Sequence, residues 1–135
     1  MVNKINIQCN HLYAVGDIHG YFNELAFMLK RYDIKDDCII ICGDCGLGFS
    51  SPDATKKEMS KLNKACRDRN VKIVMVRGNH DDPAYFDQGL ANTKNIIAVP
   101  DYTVVNENIL VVGGGVSIDR IHRKEAMELD IRHYK

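Results

Sequence analysis

Val71-Lys-Ile-Val-Met-Val-Arg-Gly-Asn-His-Asp-Asp82 is an apolar run that stops at a glycine and delivers polar, metal-competent side chains. Val71, Ile73, Val74, Met75 and Val76 are nearly continuous and largely β-branched, which predicts a strand covered on both faces, as in a parallel sheet flanked by helices. Gly78 lets the backbone turn where a side chain would clash, so Asn79 and His80 emerge at the carboxyl end of that strand.

Two earlier segments repeat the pattern. His11-Leu-Tyr-Ala-Val-Gly16 reads as a short strand leading into Asp17-Ile-His-Gly20, and Cys38-Ile-Ile-Ile-Cys42 as another leading into Gly43-Asp-Cys-Gly-Leu-Gly48. Between them, Phe22, Leu25, Ala26, Leu29 and Tyr32 fall at helical spacing. Met59, Leu62, Ala65 and Cys66 mark one face of a second helix from Asp53 or Ala54 to Arg69. The order is therefore β-α-β-α-β, an α/β class. Right-handed crossovers put the carboxyl ends of parallel strands on one edge, so Asp17/His19, Asp44 and Asn79/His80 should converge.

Beyond Pro83, Ala84 to Gln88 suggests a helical turn. Asn95–Pro100, Tyr102–Val105 and Asn108–Val112 read as closely spaced short strands, and Gly113-Gly-Gly115 breaks the last of them into Val116–Arg120. His122 to Lys135 is charged and weakly amphipathic. No repeat or linker divides the chain, which is expected to be a single domain over 1–135.

The 135 residues are 45% hydrophobic and 27% charged, ordinary globular composition. Eighteen basic and eighteen acidic residues balance, which argues against a broad nucleic-acid-binding surface or attraction to an anionic membrane. No segment approaches the ~18 apolar residues of a spanning helix, and Met1 to Cys9 has no signal-like apolar core, so a cytoplasmic location is expected. Five cysteines without regular spacing fit reduced thiols. Cys42-Gly-Asp-Cys45 matches the C-x-x-C redox spacing, but no second pair or nearby histidine completes a zinc site.

Asp17, His19, Asp44 and Asn79 offer oxygen and imidazole donors, a mixture that suits Mn²⁺, Fe²⁺, Zn²⁺ or a similar divalent ion. Asp44, on the middle of three converging loops, can bridge two ions about 3.5–4 Å apart, a pair able to clamp a phosphoryl group. His80 is placed to donate a proton to a leaving oxygen. A single aspartate after a strand is more often a cap or turn former, so the weight lies in the conjunction. Asp82 and Asp87 fit turn or capping roles, and Asp81 could orient His80. Arg77 and Arg120 could hold phosphate oxygens, with surface ion pairs as the plainer alternative. His11, His122 and His133 have no partner pattern.

Gly16-Asp-Ile-His-Gly20, Gly43-Asp44 and Gly78-Asn-His-Asp81, in that order and each after an apolar strand, resemble the motifs of the calcineurin-like metallophosphoesterases over about residues 11 to 120. The resemblance implies an α/β/β/α sandwich and a two-metal hydrolase of small phosphomonoesters or phosphodiesters, with nucleotides among the candidate substrates. By motif position, Asp17 and His19 would hold the first metal, Asp44 would bridge, Asn79 would hold the second, and His80 would assist the leaving group.

Departures narrow that reading. Protein Ser/Thr phosphatases continue the second motif with Asp-Arg-Gly, whereas this chain has Asp44-Cys-Gly-Leu-Gly-Phe49. Leu47 stands where purple acid phosphatases carry a tyrosine. The later histidine and Gly-His-x-His motif of the family have no match after His80, so the chain reads as the N-terminal portion of such an enzyme, with a partial sandwich that leaves apolar surface open. A partner chain or dimer could complete it. The missing histidines equally support an inert, metal-poor scaffold that keeps the fold.

Overall fold

The computed structural model describes residues 3–114. Along the chain run β1 (Asn3–Ile5), β2 (Leu12–Val15), α1 (Phe22–Arg31), β3 (Cys38–Cys42), α2 (Pro52–Arg69) and β4 (Lys72–Val76). A one-turn helix α3 (Ala84–Asp87) and strands β5 (Ile96–Val99), β6 (Thr103–Val105) and β7 (Ile109–Val111) follow.

Strands β2, β3, β4 and β5 form a parallel sheet in that order, with Ile40 opposite Ala14 and Val74, and Val74 opposite Ile97. A second sheet pairs β1 parallel to β6 and β6 antiparallel to β7. Alternation along each strand assigns its side chains to two cores, because successive residues point to opposite faces. Ile39, Ile41, Ile73 and Met75 pack with Leu25 and Leu29 of α1 and Met59 and Leu62 of α2. Cys38, Ile40, Val74 and Val76 instead face Val105 and Val111 of the second sheet. Among the described residues the layers are helices, sheet and sheet, the mixed α/β architecture expected from the sequence.

Local chemistry sets the helix ends. Ser51 caps α2 by accepting the Ala54 N–H at 3.2 Å, Pro52 opens its first turn, and Asn70 closes it in the left-handed region at φ 52°. In α1, Glu24 lies in the first turn and Lys30 and Arg31 in the last, matching the helix dipole.

Two features of the sheets differ from the sequence reading. Asn3-Lys-Ile5 is a strand, although nothing in three residues signals one. The segment at Asn95–Pro100 contributes its strand to the four-stranded sheet rather than to the group of short strands that follows it. Its apolar run Ile96-Ile-Ala-Val99 gives β5 side chains to both cores. No helix among the described residues is long and apolar enough to cross a membrane.

Candidate metal centre

The carboxyl ends of β2, β3 and β4 feed three loops that are hydrogen-bonded to one another. His19 N–H donates to the Asp44 carbonyl at 2.9 Å, and Gly20 N–H to the Cys45 carbonyl at 2.8 Å, tying the first loop to the second. The second joins the third through Asp82 N–H to the Leu47 carbonyl at 2.9 Å. His19 and Asp44 both take positive φ, 45° and 44°, a conformation these residue types tolerate better than most and one frequent at functional turns.

Asp81 holds the second and third loops together. Fully buried, its carboxylate accepts N–H bonds from Gly78 (2.9 Å), Cys45 (3.1 Å), Gly46 (2.8 Å) and Leu47 (3.2 Å). Burial pushes the Asp81 carboxyl above its usual range; the N–H bonds oppose that shift, and the nearby Asp44 charge adds to it. A loop with so many small residues has buried N–H groups that need an acceptor, and this requirement is the signal that could have identified Asp81 as the clamp. The sequence suggests for Asp81 a role in orienting His80; the clamp on the second loop is a further role beyond that expectation.

The close fit explains the glycines. A Cβ on Gly78 would lie 2.0 Å from both the nitrogen and Oδ1 of Asp44, so the turn anticipated at Gly78 requires the absence of a side chain. Asp44 itself is buried, and its Oδ1 accepts the His80 N–H at 3.0 Å.

On this frame Asp17, His19 and Asp44 come together, with one donor atom from each within 4.8 Å of the others. Donors bound to one ion at about 2.0–2.2 Å are at most about 4.4 Å apart. The cluster is therefore within a small side-chain adjustment of a divalent-ion site, and Asp17 and His19, both exposed, can make it. Nε2 of His19 is already 3.6 Å from Oδ2 of Asp17. Asn79 shares with Asp17 and Asp44 the wall of a groove of about 570 Å³, and the His80 ring lies 6.2 Å from that of His19, centroid to centroid.

The arginines fare differently. Arg77 lines the same groove, but its guanidinium is paired with Asp101 at 2.9 Å. Asp101 also accepts the Gly113 N–H at 3.0 Å, and the Arg77 carbonyl accepts the Gly114 N–H at 2.7 Å. Arg77 thus anchors the chain after β7 against the third loop. Arg120, with His122 and His133, lies outside the described residues. His11 sits away from this edge, with Nδ1 3.1 Å from Asp37 Oδ1.

The C-x-x-C spacing does not make a redox pair. All five cysteines are free; Cys42 is exposed, whereas Cys45 is buried and its thiol lies 3.4 Å from the Val76 carbonyl. Burial pushes the Cys45 thiol far up, the reverse of what an attacking thiolate needs.

A family model described as calcineurin-like phosphoesterase matches residues 11–132. No curated protein and no solved structure matches the chain.

Proposed function

The chain belongs to the calcineurin-like phosphoesterase family, and we propose that it hydrolyses small phosphoesters, mono- or diesters, with divalent metal ions held at the carboxyl edge of its parallel sheet. The observation that carries this reading is the Asp17–His19–Asp44 cluster, set on loops fixed by backbone hydrogen bonds. Asp17 and His19 would hold one ion, Asp44 would be shared, and Asn79 would serve a second; Mn²⁺, Fe²⁺ and Zn²⁺ all suit such donors. When bound, such ions supply positive charge that polarises a phosphoryl oxygen and makes a water molecule more acidic.

The chain's own groups do the rest. Asp44 is oriented by the His80 N–H, so its carboxylate need not reorganise as charge develops. The His80 imidazole, beside His19, delivers a proton to the departing alkoxide. Free thiols throughout favour a reducing compartment, the cytoplasm.

Hydrolysis of p-nitrophenyl phosphate or its bis ester in Mn²⁺ tests the reading. Asp44→Asn keeps an oxygen acceptor for the His80 N–H but weakens the shared ligand, and activity is expected to fall about a hundredfold or more. Full turnover in that variant would exclude the mechanism. The inert-scaffold alternative predicts no turnover in the unaltered chain and no bound metal by elemental analysis.

A further inference from the structure

Phe49 has no part in the chemistry above, yet its ring stands next to the metal cluster with 48% of its surface exposed. We propose that Phe49 is a stacking platform that selects phosphoesters whose alcohol carries a planar ring, with nucleoside monophosphates as the substrate class. The proposal rests on the phosphoesterase reading of the site.

The backbone holds this apolar ring outward. Leu47, two residues earlier, is buried in the helix-side core. Gly46, at φ +103°, is packed so tightly that a Cβ there would meet the Gly20 nitrogen at 2.2 Å. Gly48, at φ +96°, would place one 2.6 Å from the Asp82 Cβ. Phe49 N–H donates back to the Gly46 carbonyl at 3.3 Å, closing the turn. The loop is thus knitted to both neighbouring loops, and Leu47 takes the buried position while Phe49 takes the rim. The Phe49 ring centroid is 6.2 Å from that of His19, with the planes tilted by 41°, which puts an exposed aromatic face within reach of a ligand whose phosphate sits near His19. Aromatic pairs favour centroid separations of about 4.5–7 Å, and a stacked base is tolerated whatever its sequence identity. The balanced net charge supplies no field for a polyanion, which favours a mononucleotide over a nucleic-acid strand.

The test compares AMP with ribose 5-phosphate, which share phosphate and sugar and differ in the base. Phosphate release should give kcat/KM about 5- to 150-fold higher for AMP, the range expected of one stacked base. Phe49→Leu, which keeps apolar bulk, should bring that ratio close to one while leaving the ribose 5-phosphate values unchanged; Phe49→Trp should preserve it. A ratio near one in the unaltered protein overturns the proposal. So does an equal loss on both substrates in Phe49→Leu, which would mean that Phe49 merely supports His19. If neither compound is hydrolysed, calorimetric binding of the same pair decides by the same ratio, and absence of binding overturns the proposal. The p-nitrophenyl esters separately report whether the phosphoesterase reading has failed.

Discussion

The loops after β2 and β4 are written in similar letters, Gly16-Asp-Ile-His-Gly20 and Gly78-Asn-His-Asp81, but they occupy opposite environments. Strand β2 is the sheet edge, and Gly16, Asp17 and His19 are exposed. Strand β4 is interior, and Gly78 and Asp81 are buried. The same glycine-plus-polar grammar therefore presents exposed Asp17 and His19 at the edge and, in the middle, sets the buried Asp81 beneath the partly exposed Asn79 and His80. Position in the sheet, more than residue type, decides which aspartate meets solvent and which gathers backbone N–H groups.

Removing one aspartate from each loop should separate the two roles most sharply. Asp81→Ala leaves four buried N–H groups without their acceptor and is expected to cost about 3–5 kcal/mol, lowering Tm by on the order of 10–15 °C. Asp17→Ala should stay within about 0.5 kcal/mol of the unaltered protein in urea denaturation, yet lose Mn²⁺-induced stabilisation in a thermal melt. Equal destabilisation by the two would erase the distinction.

The glycines offer a smaller version of the same contrast. A Cβ at Gly16 meets nothing within 4 Å, whereas at Gly78 it strikes Asp44. Gly16→Ala is expected to be neutral or slightly stabilising, and Gly78→Ala to cost about 3 kcal/mol, both read from denaturation midpoints.

At neutral pH the smallest effect concerns the thiols, whose contribution changes only in alkali. Burial pushes Cys38 and Cys66 from 9.0 up to about 12. Because the folded pKa lies above the unfolded one, their contribution to stability is complete below pH 9 and is lost as pH rises from 9 toward 12. Tm should accordingly decline across that window. Under native conditions at pH 8, mass spectrometry after iodoacetamide should find Cys42 alkylated and Cys38, Cys45 and Cys66 untouched. Alkylation of Cys45 at the rate of Cys42 would show that the second loop opens.

Local periodicity made much of the fold legible. The apolar run Cys38–Cys42 and the stripe Phe22–Leu25–Leu29 name the elements, and for the helix its buried face, without reference to distant residues; which strand side chains serve which core appears only in the structure. The converging loop ends followed from parallel topology. What escaped depends on partners far apart in sequence. The clamp from Asp81 reaches loop residues 34 to 36 positions away, and Arg77 finds Asp101 at a separation of 24. Neither pairing leaves a trace in the neighbouring residues. Strand β1 was equally silent, because three residues carry no periodicity and acquire strand character only from β6.

That last pairing has a consequence in time. Asn3 lies opposite Thr103, a separation of 100 residues, whereas Leu12 meets Cys38 at a separation of 26. At synthesis rates of about 5–20 residues per second, β1 must wait roughly 5–20 s for its partner after it is made. The sheet that carries Asp17, His19 and Asp44 has strands available to pair well before then, with the apolar side chains of Ile40, Val74 and Val76 still uncovered. The nascent chain therefore passes through an interval in which the edge bearing Asp17, His19 and Asp44 can be assembled while the opposite sheet face is still uncovered, and that interval carries its greatest risk of aggregation.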